Sequence, residues 1–220
     1  MNNDTEVAQK IAESLLQIKA IKLQPQKPFT WASGLKSPIY CDNRVALSHP
    51  AIRTYIRQKL AEVVQDSFGS VEMISGVATA GIPQGVLVAQ DLGLPFSYVR
   101  SESKEHGRQN RIEGEVIGGQ RVVVIEDLIS TGKSSLKAVE ALREAGCNVV
   151  GLVSIFTYGF EEATKNFEDN KCECISLCDY NTLLEVASKY NYIHQDDMEL
   201  LRSWREDPTG WGEKNNLQTI

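Results

Sequence analysis

Residues Val122–Ser135 read VVVIEDLISTGKSS, and this stretch decides the fold. The β-branched run Val122–Ile125 predicts a strand buried on both faces, which is typical of a parallel sheet. We expect the strand to end at the adjacent acids Glu126 and Asp127, and the small residues Ser130–Gly132 to form a turn into a helix. Because ligands bind beyond the carboxyl ends of the strands in an open parallel sheet, this turn is a candidate site.

Strand and helix patterns alternate on both sides of this stretch. Short apolar runs predict further strands, and apolar residues at helical spacing predict helices. The predicted strands are Val71–Ser75, Phe96–Arg100 and Val149–Phe156, and the predicted helices run from Asn3 to about Ala20, from Ser48 onward, over Pro83–Leu92 and over Ser134–Ala145. Strand–turn–helix repeats of this length predict an α/β fold with a central parallel sheet and right-handed crossovers.

The composition of the chain narrows its class. A length of 220 residues predicts one domain with at most a small appendage, and 42% apolar with 24% charged residues is ordinary for a packed globular protein. No stretch approaches the roughly 18 apolar residues of a membrane span. Five cysteines, an odd number, favour a reducing cytosol over a disulfide scaffold, so we expect a cytoplasmic protein. The net charge of −6 predicts no general attraction to nucleic acid or membrane, so an anionic ligand needs a local pocket.

The turn after the acids has the chemistry of a phosphate site. Free amides at a helix start favour a phosphate, and Gly132 lets the backbone approach an oxygen closely. Three hydroxyl donors are added by Ser130, Thr131 and Ser134. Two acidic side chains beside a phosphate site require a separate explanation, because like charges repel. Accepting hydrogen bonds from sugar hydroxyls, or supporting a bound cation, supplies one.

The run Gly132-Lys133-Ser134 also invites comparison with P-loop nucleotide hydrolases. Their motif, G-x-x-x-x-G-K-[ST], requires a glycine five residues before the second glycine. Asp127 stands at that position, and its carboxylate would face the phosphates. The sequence therefore excludes a P-loop site.

Taken whole, the strand, acid pair and T-G-x-S turn resemble the phosphoribosyl pyrophosphate (PRPP) motif of type I phosphoribosyltransferases. The alternative is an ordinary strand–turn–helix with polar turn residues. Two further segments are similar to orotate phosphoribosyltransferases: Phe29–Arg44, FTWASGLKSPIYCDNR, and Arg100–Gly107, RSESKEHG, which keeps the family's K-x-H-G element. The resemblance follows the family's order over essentially the whole chain up to its C-terminal tail.

This resemblance implies a type I phosphoribosyltransferase fold: a central parallel sheet flanked by helices, with a small N-terminal hood. We expect one domain over residues 1–210, with the hood mainly from 1–45, and a loosely held tail over 211–220. The implied enzyme is a Mg²⁺-dependent homodimer with shared active sites. It would convert orotate and PRPP to orotidine 5′-phosphate and pyrophosphate in pyrimidine synthesis.

The resemblance also assigns roles to residues. Glu126 and Asp127 would hold the ribose hydroxyls. The Ser130–Ser134 turn would hold the 5′-phosphate, with Ser130 also touching orotate, and Ser75–Pro83 would hold the pyrophosphate. No protein ligand for the metal is expected, because Mg²⁺ would be held by PRPP oxygens and water. The full set implied to bind PRPP is Arg100, Lys104, His106, Glu126, Asp127, Leu128, Ile129, Ser130, Thr131, Gly132, Lys133 and Ser134.

Residues 101–119 carry few large apolar side chains, so we expect this segment to be mobile when the site is empty. Alone it fits an ordinary solvated charged loop. Phosphoribosyl transfer, however, needs cations aimed at the departing pyrophosphate and the exclusion of water, and a closing loop supplies both. The resemblance makes Lys104 and His106 catalytic, together with Asp127. It also implies that Arg100, Lys104 and His106 complete the pocket of the partner subunit.

The chain departs from the family pattern at three positions. Many orotate phosphoribosyltransferases have lysine where this chain has Ala32, Ala80 and Ser101. The remaining cationic side chains must therefore neutralise a larger share of the negative charge of the substrates. Those that remain are Arg100, Lys104, His106 and Lys133, with Lys36 and Arg44 as candidates for the orotate carboxylate.

Two groups of residues outside the motif have simple structural interpretations. The cysteines of K-C-E-C-I-S-L-C (Cys172, Cys174 and Cys178) could suggest a metal, but the alternation reads better as a strand with its cysteines on one face. Trp204 and Trp211 are expected to serve packing or an interface.

The functional alternatives are a purine phosphoribosyltransferase and a non-catalytic PRPP-binding regulator, which usually carries a DNA-binding module that this chain lacks.

Overall fold

The computed structural model describes residues 5–31, 34–101 and 111–215. Its helices are α1 Thr5–Gln17, α2 Pro50–Phe68, α3 Gly81–Leu92, α4 Lys133–Glu144, α5 Glu161–Asp169, α6 Tyr180–Lys189, α7 Met198–Glu206 and α8 Trp211–Lys214. Its strands are β1 Ile21–Leu23, β2 Phe29–Thr30, β3 Lys36–Ser37, β4 Ile39–Cys41, β5 Met73–Val77, β6 Phe96–Val99, β7 Ile112–Glu113, β8 Arg121–Ile129, β9 Asn148–Thr157 and β10 Cys174–Asp179. None of these helices is long and apolar enough to cross a membrane.

A six-stranded sheet in the order β10-β9-β8-β5-β6-β7 forms the centre of the fold. All neighbours are parallel except β7, which pairs antiparallel with β6 at the edge. The predicted α/β fold with a central parallel sheet is therefore confirmed. Strand β8 lies inside the sheet, and its carboxyl end carries the acid pair and the turn.

The two faces of β8 pack against two different apolar clusters. Val123 and Ile125 belong to the cluster that contains residues of α1, α2, α6 and α7, whereas Val122 and Val124 belong to the cluster built on α4 and α5. All four side chains are fully buried. Alternate side chains of a strand point to opposite faces, so a continuous apolar run places helices on both sides.

The predicted end of the central strand is wrong. The ladder with β9 continues past the acids through Glu126↔Ser154 and Ile129↔Thr157, so Glu126 and Asp127 lie within the strand. Continued pairing with a long neighbour decided this boundary, and the sequence of β8 alone does not reveal it. Other predicted boundaries shift as well: α1 ends at Gln17, β5 covers Met73–Val77, β6 ends at Val99, α3 begins at Gly81 and α4 begins at Lys133.

The N-terminal hood consists of two small antiparallel pairs, β1 with β4 and β2 with β3. The C-terminal helices cover it. Gln26 Nε2 donates a 2.7 Å hydrogen bond to Asp197 Oδ1, and the rings of Trp31 and Trp204 meet edge to face at 5.7 Å between centroids. The hood is therefore assembled from both ends of the chain.

The expectation of a loosely held tail is wrong for its first residues. Trp211 opens α8, is 1% exposed, and donates a hydrogen bond from Nε1 to the Leu200 carbonyl at 3.1 Å. A buried indole stabilises this end far more than its polar surroundings suggest. The predicted packing role of Trp204 and Trp211 is confirmed, and residues 216–220 lie outside the described residues.

The predicted cysteine strand is correct in part. Cys174 and Cys178 lie on β10, whereas Cys172 precedes the strand and is buried beside α4 and α5. All five cysteines are free thiols.

Candidate active site

The acid pair lies at the carboxyl end of β8 in two different environments. Glu126 is 5% exposed, and Asp127 is partly exposed. Glu126 Oε1 accepts a hydrogen bond from the Asp127 N–H at 3.1 Å, and Glu126 Oε2 accepts one from Ser135 Oγ at 3.0 Å. Burial raises the pKa of the Glu126 carboxyl well above its usual range, and the neighbouring Asp127 charge adds to this. Burial also raises the pKa of Asp127.

The turn that follows is held in a conformation that requires glycine. Gly132 has φ of +76°, and α4 begins at the next residue. A Cβ at Gly132 would lie 2.6 Å from the Phe167 ring, so the position excludes side chains on steric grounds as well. Within the described part of the chain, no acceptor lies within hydrogen-bond distance of the N–H groups of Thr131 and Gly132. These amides are available to a ligand.

A cavity of about 440 Å³ adjoins the turn. Its wall is mainly aromatic and apolar, and it is lined by Thr30, Trp31, Tyr40, Cys41, Leu128, Ser130 and Tyr158. The rings of Trp31 and Tyr158 lie 5.7 Å apart, and Trp31 Nε1 donates to the Ile39 carbonyl at 3.2 Å. Ser130 therefore belongs both to this cavity and to the turn. Such a cavity suits a flat ring with a few polar groups.

A buried amide joins the hood to the acid pair. Asn43 is 1% exposed, and its Nδ2 donates to the Asp127 carbonyl at 2.8 Å. The Cys41 thiol donates in turn to Asn43 Oδ1 at 3.4 Å. The wall of the cavity and the acid-bearing end of the strand are thereby held in one frame.

The loop between β5 and α3 lies against the same strand end. A Cβ at Gly81 would lie 2.4 Å from the Ile125 carbonyl oxygen and 3.3 Å from Glu126 Cα. Ala78–Thr79 in this loop is a cis peptide bond. The structure therefore brings the Ser75–Pro83 segment, which we expected to hold pyrophosphate, beside the acid pair.

The described cations of the predicted site contact acids or hydroxyls of their own chain. Arg44 Nε lies 2.6 Å from Asp42 Oδ1, and Arg100 Nη1 lies 3.4 Å from Glu113 Oε1. Two lysines complete this set: Lys133 Nζ lies 2.6 Å from Glu162 Oε1, and Lys36 Nζ lies 3.0 Å from Thr30 Oγ1.

Other predicted residues differ in their placement. Leu128 lines the cavity. The Ile129 side chain, by contrast, is 2% exposed and packs in the core, and its carbonyl accepts a hydrogen bond from the Tyr158 N–H. Lys104 and His106, predicted to be catalytic, lie outside the described residues. Ala32 also lies outside them.

Sequence reasoning missed several residues of the site. Tyr158 follows β9, whose carboxyl end is next to that of β8, so strand adjacency was the available signal. Trp31, Cys41 and Asn43 lie in the quoted hood segment, but nothing in a single sequence showed which of its side chains turn inward.

The part of the chain that carries the sheet, the acid pair and the Ser130–Ser134 turn matches a known protein family. The family model described as "Phosphoribosyl transferase domain" matches residues 46–188, which span α2 through α6 and contain the whole acid–turn motif. The match defines the class of the fold and its site as phosphoribosyltransferase.

Full-length comparisons narrow this class. An orotate phosphoribosyltransferase of Phocaeicola vulgatus is 56% identical over 200 residues, which cover 91% of this chain and 94% of the relative. One of Listeria monocytogenes is 52% identical over 206 residues, covering 94% and 99%. The crystal structure of the orotate phosphoribosyltransferase from Aeropyrum pernix superposes with a TM-score of 0.73 at 30% identity, covering 84% of this chain and 99% of that one. The chain belongs to the orotate phosphoribosyltransferase family.

Proposed function

We propose that the protein transfers the phosphoribosyl group of PRPP to orotate, releasing pyrophosphate and forming orotidine 5′-phosphate. The bond from C1 of the ribose to the pyrophosphate oxygen breaks, and a bond from C1 to a ring nitrogen of orotate forms. The proton of that nitrogen passes to pyrophosphate or to solvent. One observation carries the proposal: Ser130 belongs both to the ring-sized cavity and to the turn with free amides. A base in the cavity and a sugar phosphate on the turn therefore lie side by side.

The charges of the site suit this reaction. Departure of pyrophosphate leaves positive charge on the ribose ring, next to the partly exposed Asp127 carboxylate. A fixed charge placed where the opposite charge develops in the transition state accelerates the reaction. Asp127, with Glu126 behind it, accepts hydrogen bonds from the ribose hydroxyls, and the amides of Thr131 and Gly132 donate to the 5′-phosphate.

The departing pyrophosphate is stabilised by cations. The segment with Lys104 and His106 supplies them and excludes water from the reacting carbon. We place this segment of one subunit over the active site of a second copy, so that the working unit is a homodimer. Arg100, which precedes this segment, is a further candidate to contact the pyrophosphate.

Mg²⁺ is the proposed cofactor. The local donors are carboxylate and hydroxyl oxygens, which suit a hard cation. Both Glu126 oxygens, however, already accept hydrogen bonds from Ser135 and from the Asp127 amide, so the protein does not offer a complete cage. Such a cation would therefore be held mainly by PRPP oxygens and water. When bound, Mg²⁺ neutralises part of the diphosphate charge.

A spectrophotometric assay tests the function. Orotate absorbance should fall when PRPP and Mg²⁺ are added, and EDTA should abolish the change. Adenine, hypoxanthine and xanthine in place of orotate serve as controls, since a purine enzyme would share the turn but use these bases. Turnover of a purine without turnover of orotate would overturn the proposal.

A further inference from the structure

Helix α5 lies directly behind the phosphate turn. Asn166, in the middle of this helix, donates a hydrogen bond from Nδ2 to the Thr131 carbonyl at 2.9 Å. The contact is partly buried and joins residues 35 positions apart in the chain. It is therefore a tertiary contact between the turn and α5, and it is not part of the local geometry of the turn.

This contact fixes the direction of one peptide group. In a planar trans peptide, the carbonyl and the following N–H point in opposite directions. The Thr131 carbonyl points to α5, so the Gly132 N–H points away from α5. Within the described ranges, that N–H has no acceptor. A polar backbone group held in one direction without a partner is prepared for a ligand.

The same helix restricts the turn at a second point. The Phe167 ring lies against Gly132, so close that a Cβ there would be 2.6 Å away. Lys133 also pairs with Glu162 at 2.6 Å, but both side chains are more than half exposed, so this ion pair contributes little. Asn166 and Phe167 therefore both restrict the backbone of the turn.

We propose that Asn166 is a positioning residue for the phosphate of the sugar substrate: by holding the Thr131 carbonyl, it aims the Gly132 amide at a phosphomonoester. The inference rests on the proposed function in that the ligand is a phosphorylated ribose. Asn166 itself does not touch the ligand, and its effect is confined to the end of the substrate that carries the 5′-phosphate.

Two variants and one control test this role. Asn166→Ala removes the donor, and Asn166→Leu removes it while keeping nearly the same size. Asn170→Ala is the control, because Asn170 Nδ2 makes a 2.8 Å hydrogen bond to a carbonyl on the same helix, that of Asn166, and not to the turn. Thermal unfolding of each variant shows that it is folded.

Calorimetric titration with ribose 5-phosphate and with pyrophosphate separates the two ends of the substrate. We expect the dissociation constant for ribose 5-phosphate to rise about tenfold in both Asn166 variants, the scale of one lost hydrogen bond. The constant for pyrophosphate should stay within about twofold of wild type, as should both constants in Asn170→Ala. A general loss of stability would weaken both ligands alike.

Three results would overturn the inference: unchanged affinity for ribose 5-phosphate in the variants, an equal loss for pyrophosphate, or no binding of ribose 5-phosphate by the wild type. If Asn166→Ala does not fold, Asn166→Leu decides the question. The titrations need no orotate. Failure of the wild type to consume orotate would therefore refute the proposed function separately.

Discussion

Ser135 Oγ, on the first turn of α4, donates a 3.0 Å hydrogen bond to Glu126 Oε2 on β8, and both side chains are almost fully buried. The bond joins the strand that carries the acid pair to the helix that follows the phosphate turn. A hydrogen bond to the charged form favours ionisation, so Ser135 opposes the effect of burial on the pKa of Glu126.

Ser135→Ala should therefore raise the pKa of Glu126 further and delay its ionisation to higher pH. We expect the acid limb of the pH profile of kcat/KM for PRPP to move to higher pH, because the charged form of Glu126 loses one hydrogen bond. At high pH the variant and the wild type should converge. Steady-state rates over the range from about pH 5 to 9 measure this.

Ser188→Ala is a matched control for this substitution. Ser188 Oγ makes a 3.0 Å hydrogen bond to Gln195 Oε1, far from the acid pair in sequence and outside the site lining. Its pH profile should match that of the wild type. An unmoved acid limb in Ser135→Ala would show that ionisation of Glu126 does not govern substrate capture.

Glu126→Gln should stabilise the protein without substrate at neutral pH. The folded protein holds the Glu126 proton more tightly than the unfolded chain, so stability falls as pH rises from the unfolded pKa, near 4.5, toward the folded pKa. The variant loses this cost, so its free energy of unfolding at pH 7.5 should exceed that of the wild type.

At pH 4 the difference should be much smaller, because the carboxyl is then mostly neutral in both states. Urea unfolding at the two pH values measures it, and PRPP affinity should fall in the same variant. Equal stability of variant and wild type at pH 7.5 would contradict the raised pKa.

Gly132→Ala should destabilise the protein for two separable reasons. A residue with a Cβ costs about 1–2 kcal/mol in the left-handed region, and crowding against Phe167 adds about 1–3 kcal/mol. Gly93→Ala isolates the first cost, because Gly93 has φ of +66° and a Cβ added there would meet nothing within 4 Å. Chemical denaturation of both variants gives the two losses in the free energy of unfolding. Equal losses would show that the Phe167 ring shifts to accommodate the added Cβ without cost.

Lys104→Ala tests the proposed leaving-group loop. Removing one preorganised cation should lower kcat by roughly 10²-fold, with a modest change in the Michaelis constants. Lys137→Ala, on the exposed side of α4, provides the control for loss of one positive charge. Near wild-type turnover in Lys104→Ala would remove this residue from the mechanism.

The parts of the fold that depend on local pattern were predictable from the sequence. The β-branched run of β8 and the following small residues locate a buried strand and a turn with few alternatives. The end of β8 was not predictable, because the ladder with β9 extends it past Asp127. Pairing between strands distant in the chain leaves no mark on either sequence alone.

The site divides in the same way. Turn residues such as Ser130 and Gly132 are recognisable in the sequence. Serine offers a hydroxyl donor, and glycine can adopt the positive φ that the turn requires. The residues behind them are not recognisable in this way. Asn166 lies on an α-helix and Asn43 begins a short 3-10 helix, and each looks like an ordinary polar residue until the fold brings it to a backbone carbonyl. Their importance depends on packing geometry, which a linear pattern does not contain.

Trp31, in the wall of the cavity, packs edge to face against Trp204 of α7. Trp211 donates a hydrogen bond to the Leu200 carbonyl and so helps to hold α7 in place. During synthesis on a ribosome, the hood strands therefore emerge well before these two tryptophans. Their packing is complete only after the C-terminal helices have been made. A message cut short before the codon of Trp204 therefore yields a polypeptide in which the Trp31 side of the cavity lacks this aromatic neighbour.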